Sequence, residues 1–222
     1  MTPFKTILAA AEKRAGGKDA LARLLPRPKS AAALAALPDA RYLSTMSLRI
    51  FRAGLKHSLV DAKWPAFEAV FHGFAPRRVC AMSDEALERL MTDKRLIRHW
   101  GKLKSVRDNA AALLALAEEH GSFGHYLSAW PADRTVELWD DIAKRFRQMG
   151  GNSAPYFLRM VGKDTFILTP YVVRALDRWG AVDGEPKGKA GRRQAQGAIL
   201  AWARAGRRPL CQVSMILARS VE

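Results

Sequence analysis

Apolar residues recur at helical spacing along most of the chain. Val136, Trp139, Ile142, Ala143 and Phe146 follow one another at steps of three and four residues, which predicts an amphipathic helix over 135–148. There is almost no strand pattern and no internal repeat. We therefore expect an all-α protein built as a helical bundle.

Serine, threonine and proline mark several predicted helix starts. Ser83 precedes two acids, and Thr169 precedes Pro170. Hydroxyl side chains cap the unpaired amides of a helix N-terminus, and proline fits the first turn because it lacks an amide hydrogen. By the same rule we expect Pro65 in the first turn of a helix that Gly73 ends.

Further helices are predicted on either side of a glycine-rich loop. A long helix is expected over 95–120, and an exposed loop rich in Gly, Lys and Arg over 183–193. Helices should follow over 194–204 and after Pro209. The alanine run at 31–36, flanked by prolines, could be a short helix or a flexible lead.

Charge is the most informative part of the composition. The 222 residues include 37 Lys and Arg against 21 Asp and Glu, a formal net charge of +16, and 49% are hydrophobic. That excess favours a polyanionic partner, because neutralising each phosphate releases a condensed counterion. A protein that merely has a basic surface remains the alternative.

Compartment and metal content follow from what the chain lacks. Cys80 and Cys211 follow no metal-ligand spacing and no disulfide pattern. The first residues show no secretory leader, and no stretch approaches the roughly twenty apolar residues of a membrane span. We expect a reduced, cytoplasmic protein without a membrane segment.

The most specific motif is a glycine-rich turn between two predicted helices at about 144–162. Gly150 and Gly151 can take positive φ and have no side chain to hold a phosphate away. The amides of Asn152, Ser153 and Ala154 would then point outward from a helix N-terminus, an anion site. This pattern predicts a helix-hairpin-helix element that binds DNA; the alternative is an ordinary connection between core helices.

Several blocks together resemble one family of DNA repair enzymes. Arg52-Ala53-Gly54-Leu55, the segment 64–74, the segment 96–103 and Asp108-Asn109-Ala110 resemble the 3-methyladenine DNA glycosylase I family of the helix-hairpin-helix superfamily. The resemblance covers about 48–162. It implies two helical lobes around a cleft and excision of alkylated purines from double-stranded DNA by base flipping. The corresponding division is a helical lead at 1–40 and a glycosylase-like domain at 41–222.

Departures from that family fall at its chemical positions. Arg49 stands where the family has a glutamate, six residues before Leu55, and His57 replaces a pocket tryptophan. Thr169 stands where many superfamily members have an aspartate. The family's zinc ligands have no counterpart, so we expect neither a metal nor a cofactor.

The candidate site residues fall into three groups. Each has an ordinary structural role as its alternative, in core packing or surface ion pairs. The groups are the base pocket and its wedge at Arg49, Leu55, Tyr42 and Tyr171, the catalytic candidates His57, Asp61 and Glu68, and the DNA contacts Gly150, Gly151, Asn152, Ser153, Ala154 and Lys102.

Three functions remain open at this point. The leading hypothesis is a monomeric, monofunctional DNA glycosylase that acts on damaged duplex DNA. The second is a DNA-binding protein that keeps the scaffold but lacks the chemistry. The third is a basic helical protein that binds RNA or a protein partner.

Overall fold

The computed structural model describes residues 1–221, and within that range it contains helices and no strand. The predicted all-α class is confirmed. The α-helices are α1 Phe4–Ala15, α2 Lys18–Leu24, α3 Ala31–Ala35, α4 Asp39–Arg52, α5 His57–Val70, α6 Pro76–Cys80, α7 Asp84–Leu90, α8 Trp100–His120, α9 Phe123–Ala129, α10 Thr135–Arg145, α11 Ser153–Val161, α12 Pro170–Arg178, α13 Gly188–Gly206 and α14 Leu210–Arg219. Two short 3₁₀ helices lie at His72–Phe74 and Ala132–Arg134.

The chain forms two compact units. Unit 1 comprises Met1–Lys29, Trp130–Trp139 and the chain from Gly162 onward. Unit 2 comprises Ser30–Ala129 and Asp140–Val161. The first 29 residues of the predicted lead thus belong to unit 1, and helix α10 contributes its first residues to unit 1 and its last to unit 2.

An aromatic cluster forms much of the core of unit 2. The rings of Phe51 and Phe67 lie 4.5 Å apart between centroids, and the Trp64 ring stacks on Phe67 at 5.1 Å and on Phe74 at 5.3 Å. Such ring pairs add to the stability that burial of their area provides. Because Phe51 belongs to α4 and Phe67 to α5, the cluster fixes the end of α4 against α5.

Unit 1 is held by contacts between distant segments of the chain. Trp202 Nε1 donates to the carbonyl oxygen of Thr2 at 2.9 Å. The Gln196 side chain accepts from the amide of Val136 at 2.8 Å and donates to the carbonyl oxygen of Asp133 at 2.6 Å. Both side chains are buried, so these polar groups find within unit 1 the partners that water would otherwise supply.

The predicted caps at Ser83 and Thr169 are confirmed. Ser83 Oγ accepts from the amide of Ala86 at 3.2 Å, and Thr169 Oγ1 accepts from that of Val172 at 3.2 Å. The alanine run forms the short helix α3, and Ser30 caps it. No helix within residues 1–221 is long and apolar enough to cross a membrane.

Several predicted helix boundaries were wrong. Pro65 lies inside α5, which begins eight residues earlier at His57. The long helix α8 begins at Trp100 because the ring of His99 accepts a hydrogen bond from the amide of Lys102 and caps it. Helix α10 ends at Arg145 and α13 begins at Gly188, so the predicted loop at 183–193 is partly helical.

Candidate functional site

Unit 2 contains a cavity of about 610 Å³ at the end of α4. Its wall comes from the last turn of α4, the turn into α5 and one face of α11. The lining residues are Arg49, Arg52, Ala53, Gly54, Leu55, His57, Tyr156 and Met160. None of these lining residues, as far as the described chain extends, is acidic.

The turn from α4 into α5 places two of the predicted residues on this wall. Gly54 has a φ of 76°, a left-handed conformation that a residue with a Cβ adopts only with strain. The chain therefore reverses sharply after Arg52 and presents Leu55, which is 37% exposed, before α5 begins at His57. An exposed leucine and an exposed imidazole thus lie at the same cavity.

Lys102 supports this turn from α8. Its Nζ donates to the carbonyl oxygen of Ala53 at 2.7 Å and approaches that of Phe51 at 3.4 Å. A cation on these last carbonyls satisfies them and interacts favourably with the negative end of the helix dipole. Burial and the nearby Arg49 charge lower the pKa of Lys102. The structure therefore places this predicted DNA contact beneath the cavity wall.

Arg49 lies on the same wall with its guanidinium over an aromatic ring. Its Cζ is 4.8 Å from the centroid of Tyr156. Its Nε is buried and has no hydrogen-bond partner within residues 1–221. Burial lowers the pKa of Arg49, the Tyr156 hydroxyl opposes this change, and the Arg52 charge adds to it. A guanidinium nevertheless remains protonated in proteins, so the cavity wall carries a positive charge.

Helix α11 supplies the part of the wall that the sequence did not predict. α11 packs against α4, and its residues Tyr156 and Met160 face the cavity. They are four residues apart, so they share one side of the helix, while Phe157, Leu158 and Val161 are buried. A tyrosine that lies off the buried apolar stripe of α11 was the signal that could have indicated a functional role for Tyr156.

Two of the three catalytic candidates do not line the cavity. Asp61 forms an ion pair with Arg52, whose NH2 lies 2.7 Å and Nε 2.9 Å from the same carboxylate oxygen. Glu68 Oε1 accepts from the hydroxyl of Ser44 at 3.5 Å. Of the three, the structure therefore brings only His57 to the cavity with Arg49 and Leu55.

The two predicted stacking tyrosines also lie elsewhere. Tyr42 is fully buried, and its hydroxyl donates to the carbonyl oxygen of Leu34 at 2.7 Å. Burial raises its pKa, and Asp39 raises it further. Tyr171 belongs to unit 1, is 52% exposed and lies under the guanidinium of Arg174 at 4.7 Å. Within unit 2, Tyr156 is the tyrosine at the cavity.

The glycine-rich hairpin is present, with a different distribution of backbone strain. Gly151 has a φ of 57°, whereas Gly150 does not take positive φ and Gln148 does, at 63°. The amide of Ser153 donates to the carbonyl oxygen of Gly150 at 3.1 Å, and that of Tyr156 to Asn152 at 3.1 Å. A Cβ added at either glycine would meet nothing within 4 Å, so both lie at an open surface.

A buried asparagine anchors the hairpin to α8. Asn109 Oδ1 accepts from the amide of Arg147 at 2.7 Å, and its Nδ2 donates to the carbonyl oxygen of Arg147 at 3.1 Å. The side chain of Asn109 thus holds both the amide and the carbonyl group of Arg147. Lys144 and Arg147 are exposed beside the turn, while Arg145 pairs with Asp141 at 2.8 Å. The hairpin therefore combines a defined backbone with exposed positive charge.

Comparison with known proteins gives the context for this arrangement. The model of one protein family, described as methyladenine glycosylase, matches residues 35–150, slightly more than half of the chain. The chain belongs to the methyladenine glycosylase family. The match contains Arg49, Leu55 and His57 but ends at Gly150, so the α11 part of the cavity wall lies beyond it.

Two curated relatives match over a limited stretch. The chain is 41% identical over 70 residues to DNA-3-methyladenine glycosylase 1 of Escherichia coli, covering 32% of this chain and 37% of the relative. It is 30% identical over 76 residues to DNA-3-methyladenine glycosylase of Haemophilus influenzae, covering 34% and 41%. The chain thus matches about two fifths of the length of each relative.

A solved structure shows the same fold over a longer range. The crystal structure of a 3-methyladenine DNA glycosylase I superimposes with a TM-score of 0.51 at 25% identity, covering 63% of this chain and 83% of that one.

Across residues 1–221 no group of three or more His, Cys, Asp and Glu side chains could hold a metal ion.

Proposed function

We propose that this methyladenine glycosylase family member is a monofunctional DNA glycosylase that acts on damaged double-stranded DNA as a cytoplasmic monomer. The observation that supports the proposal is the cavity at the end of α4. The part of its wall that α4 and α5 provide lies in the region that matches the family, and the cavity brings together an exposed leucine, an imidazole and a tyrosine. A glycosylase needs such a pocket because its target atom is inaccessible inside a stacked duplex.

The wall residues fit the steps of base flipping. Leu55 projects at the end of the α4–α5 turn, where an apolar side chain can fill the space that an extruded base leaves in the stack. Tyr156 provides an aromatic face on which the extruded base can stack. The volume of about 610 Å³ falls in the range of small-molecule pockets, so it accommodates one nucleotide.

His57 is the residue we assign to activation of water. Hydrolysis adds water to the anomeric carbon while the bond to the base breaks, so a group that accepts a proton from water assists the reaction. An imidazole can accept that proton, and His57 is exposed on the cavity wall. Asp61 and Glu68 remain candidates of the same proposal, although Asp61 would first have to leave Arg52.

DNA binding is assigned to the hairpin. The exposed turn at Gly150 and Gly151 offers backbone amides to a phosphate, and Lys144 and Arg147 add charge beside it. Contacts of this kind position a duplex without reading its sequence. They fix the position of the protein on the duplex, while specificity for the damaged base comes from the pocket.

The decisive experiment measures release of free base from genomic DNA that has been alkylated or deaminated, with matched counting of abasic sites. The proposal expects release by the wild-type protein and a large loss in His57→Asn. His72→Asn is the matched control, since His72 is exposed and does not line the cavity. Asp61→Asn and Glu68→Gln test the two acids. Tight duplex binding with no base released from any damaged DNA would mean that the protein binds DNA without cutting the glycosidic bond.

A further inference from the structure

Arg49 is a charged donor without an acceptor. Its Nε is fully shielded from solvent and unpartnered, and no carboxylate or carbonyl group within residues 1–221 accepts a hydrogen bond from its guanidinium. An unsatisfied buried donor lowers stability, and one attached to a charge does so more than a neutral one. Nε is closed to a ligand as well as to solvent, so an acceptor that enters the cavity would bind the terminal N–H groups of Arg49, which also have no acceptor within residues 1–221.

Tyr156 holds that guanidinium in place. The 4.8 Å distance from Cζ to the ring centroid is a cation–π contact, which needs no hydrogen bond and leaves the N–H groups available. Arg49 belongs to α4 and Tyr156 to α11, two helices that pack directly against each other. The fork of donors is therefore positioned before any ligand arrives.

The surroundings of Arg49 select against a cationic ligand. Arg52 lies on the same wall, and no lining residue is acidic. Lys102 is close enough to Arg49 for the charge of Arg49 to lower the pKa of Lys102. Asp61, the carboxylate bound to Arg52, does not line the cavity. A positively charged alkylated adenine would meet like charge here, whereas a neutral base with two adjacent acceptors would meet complementary charge.

We infer that Arg49, held over Tyr156, is the residue that selects the excised base, and that this base is a neutral 6-oxopurine, recognised through its O6 and N7. This inference rests on the proposed function and names its substrate class. A planar guanidinium donates two parallel hydrogen bonds to that pair of acceptors, which is the commonest specific contact between arginine and a purine. Hypoxanthine, the product of adenine deamination, presents both acceptors and carries no charge.

The same contact assists bond cleavage. When the bond from the anomeric carbon to N9 breaks, its electron pair leaves with the base, and the oxygen of water bonds to the anomeric carbon. One water proton passes to His57 or to solvent, and the departing base takes up a proton. The negative charge that grows on the purine is shared with O6 and N7, so Arg49 stabilises it as it forms. In this pocket the positive charge of Arg49 stabilises the leaving base, whereas a carboxylate would stabilise the cationic sugar.

Discrimination against ordinary guanine follows from the cost of extrusion. Guanine presents the same two acceptors, but it is held in the duplex by its complement. A base in a mismatch is easier to unstack and unpair, and that difference favours its capture. Hypoxanthine opposite thymine is such a base.

The test uses two duplexes and two free bases. One duplex carries hypoxanthine opposite thymine, and the other carries 7-deazahypoxanthine, which lacks the N7 acceptor. Base release is measured in single-turnover reactions, and binding of the two free bases is measured by titration. For wild type we expect free hypoxanthine to bind roughly 5- to 150-fold more tightly than free 7-deazahypoxanthine, the range of one bidentate contact. This binding preference should fall towards one in Arg49→Lys and Arg49→Ala. Because the deaza base is also an intrinsically poorer leaving group, release from each duplex is compared only between wild type and variants.

Three variants separate recognition from a structural effect. Tyr156→Phe keeps the ring and should keep the preference, whereas Tyr156→Ala should lose part of it. Arg77→Ala removes an exposed arginine that does not line the cavity, so it should leave the preference unchanged. A preference that survives in Arg49→Lys and Arg49→Ala would overturn the inference.

The remaining outcomes distinguish the inference from the proposed function. Release of 3-methyladenine from alkylated DNA without release of hypoxanthine would overturn the inference and keep the glycosylase function. Release of no base from any DNA would overturn the function. The free-base titrations would still decide the inference in that case, because equal wild-type binding of the two bases would refute recognition through N7.

Discussion

Reversing the charge of Arg49 should improve the excision of 3-methyladenine. In the wild-type protein the guanidinium of Arg49 faces the cavity, whereas that of Arg52 on the same wall is offset by its ion pair with Asp61. A base that carries a positive charge, and a sugar that becomes positive as the bond breaks, are both repelled there. Arg49→Ala removes one source of repulsion, and Arg49→Glu replaces it with an attraction.

The size of the effect follows from Coulomb's law. Two unit charges about 4 Å apart interact by about 1 kcal/mol in bulk water and by about 4 kcal/mol at an effective dielectric constant of 20. Arg49 is half-buried, so its interaction lies between these limits. Because about 1.4 kcal/mol corresponds to a tenfold change in rate, Arg49→Ala should raise excision by roughly 5- to 1,000-fold. Arg49→Glu should raise it further.

The assay compares the three proteins on alkylated DNA under single-turnover conditions. Binding to a duplex with an abasic analogue is the control, since a variant that loses DNA affinity would release less base for an unrelated reason. The same variants should lose activity on hypoxanthine, so the two substrates should respond in opposite directions. Robust release of 3-methyladenine by wild type that collapses in Arg49→Ala would refute this electrostatic reasoning.

Four further predictions concern DNA binding, stability and metal. Gly150→Val should weaken duplex binding while the protein stays folded, because its Cβ points into open space and its φ is not positive; Gly197→Val on α13, which also meets nothing within 4 Å, is the matched control, and equal affinities would argue against the hairpin. The logarithm of the duplex binding constant should fall linearly with that of salt concentration, with a slope of about 0.9 per phosphate contacted, and a flat dependence would contradict a nucleic-acid partner. Lys102→Met should lower the free energy of unfolding by about 1–3 kcal/mol in denaturant titrations, because it leaves the carbonyl oxygen of Ala53 unpaired; a smaller salt slope with unchanged stability would show instead that Lys102 contacts a phosphate. The purified protein should contain no stoichiometric zinc by elemental analysis, and one equivalent that survives dialysis against a weak chelator would contradict the expectation drawn from its ligands.

Features of the fold that depend on neighbouring residues could be predicted from the sequence. The caps at Ser83 and Thr169 form because each hydroxyl lies three residues before the amide that it accepts from. Pro65 shows where this reasoning fails. It cannot donate to the carbonyl group of Asp61, yet α5 continues through it while the neighbouring Trp64 and Phe67 pack in the aromatic cluster of unit 2. Tertiary contacts of that kind outweigh a local preference.

The candidate site also contains residues that a local motif could predict and residues that only tertiary packing brings together. Arg49, Leu55 and His57 fall within nine residues of sequence, so one motif could predict that they share a wall. Tyr156 and Met160 reach that wall only because α11 packs against α4, and a pairing of helices about a hundred residues apart leaves no local pattern. The absence of Asp61 from the wall, and its pairing with Arg52, likewise depend on how side chains are arranged in space.

The order in which unit 1 is assembled has a consequence for synthesis on the ribosome. Helix α1 packs against α13 and α14, and Thr2 accepts a hydrogen bond from a tryptophan 200 residues later. At about 5–20 residues per second, the ribosome leaves α1 without these partners for on the order of ten to forty seconds. In the order of the sequence, unit 2 comes almost entirely between α1 and α13, so its helices are synthesised first and can begin to pack. The apolar face of α1, with Phe4, Ile7 and Ala11, is still exposed to water at that stage. During that interval the apolar face of α1 is open to chaperones and to premature association.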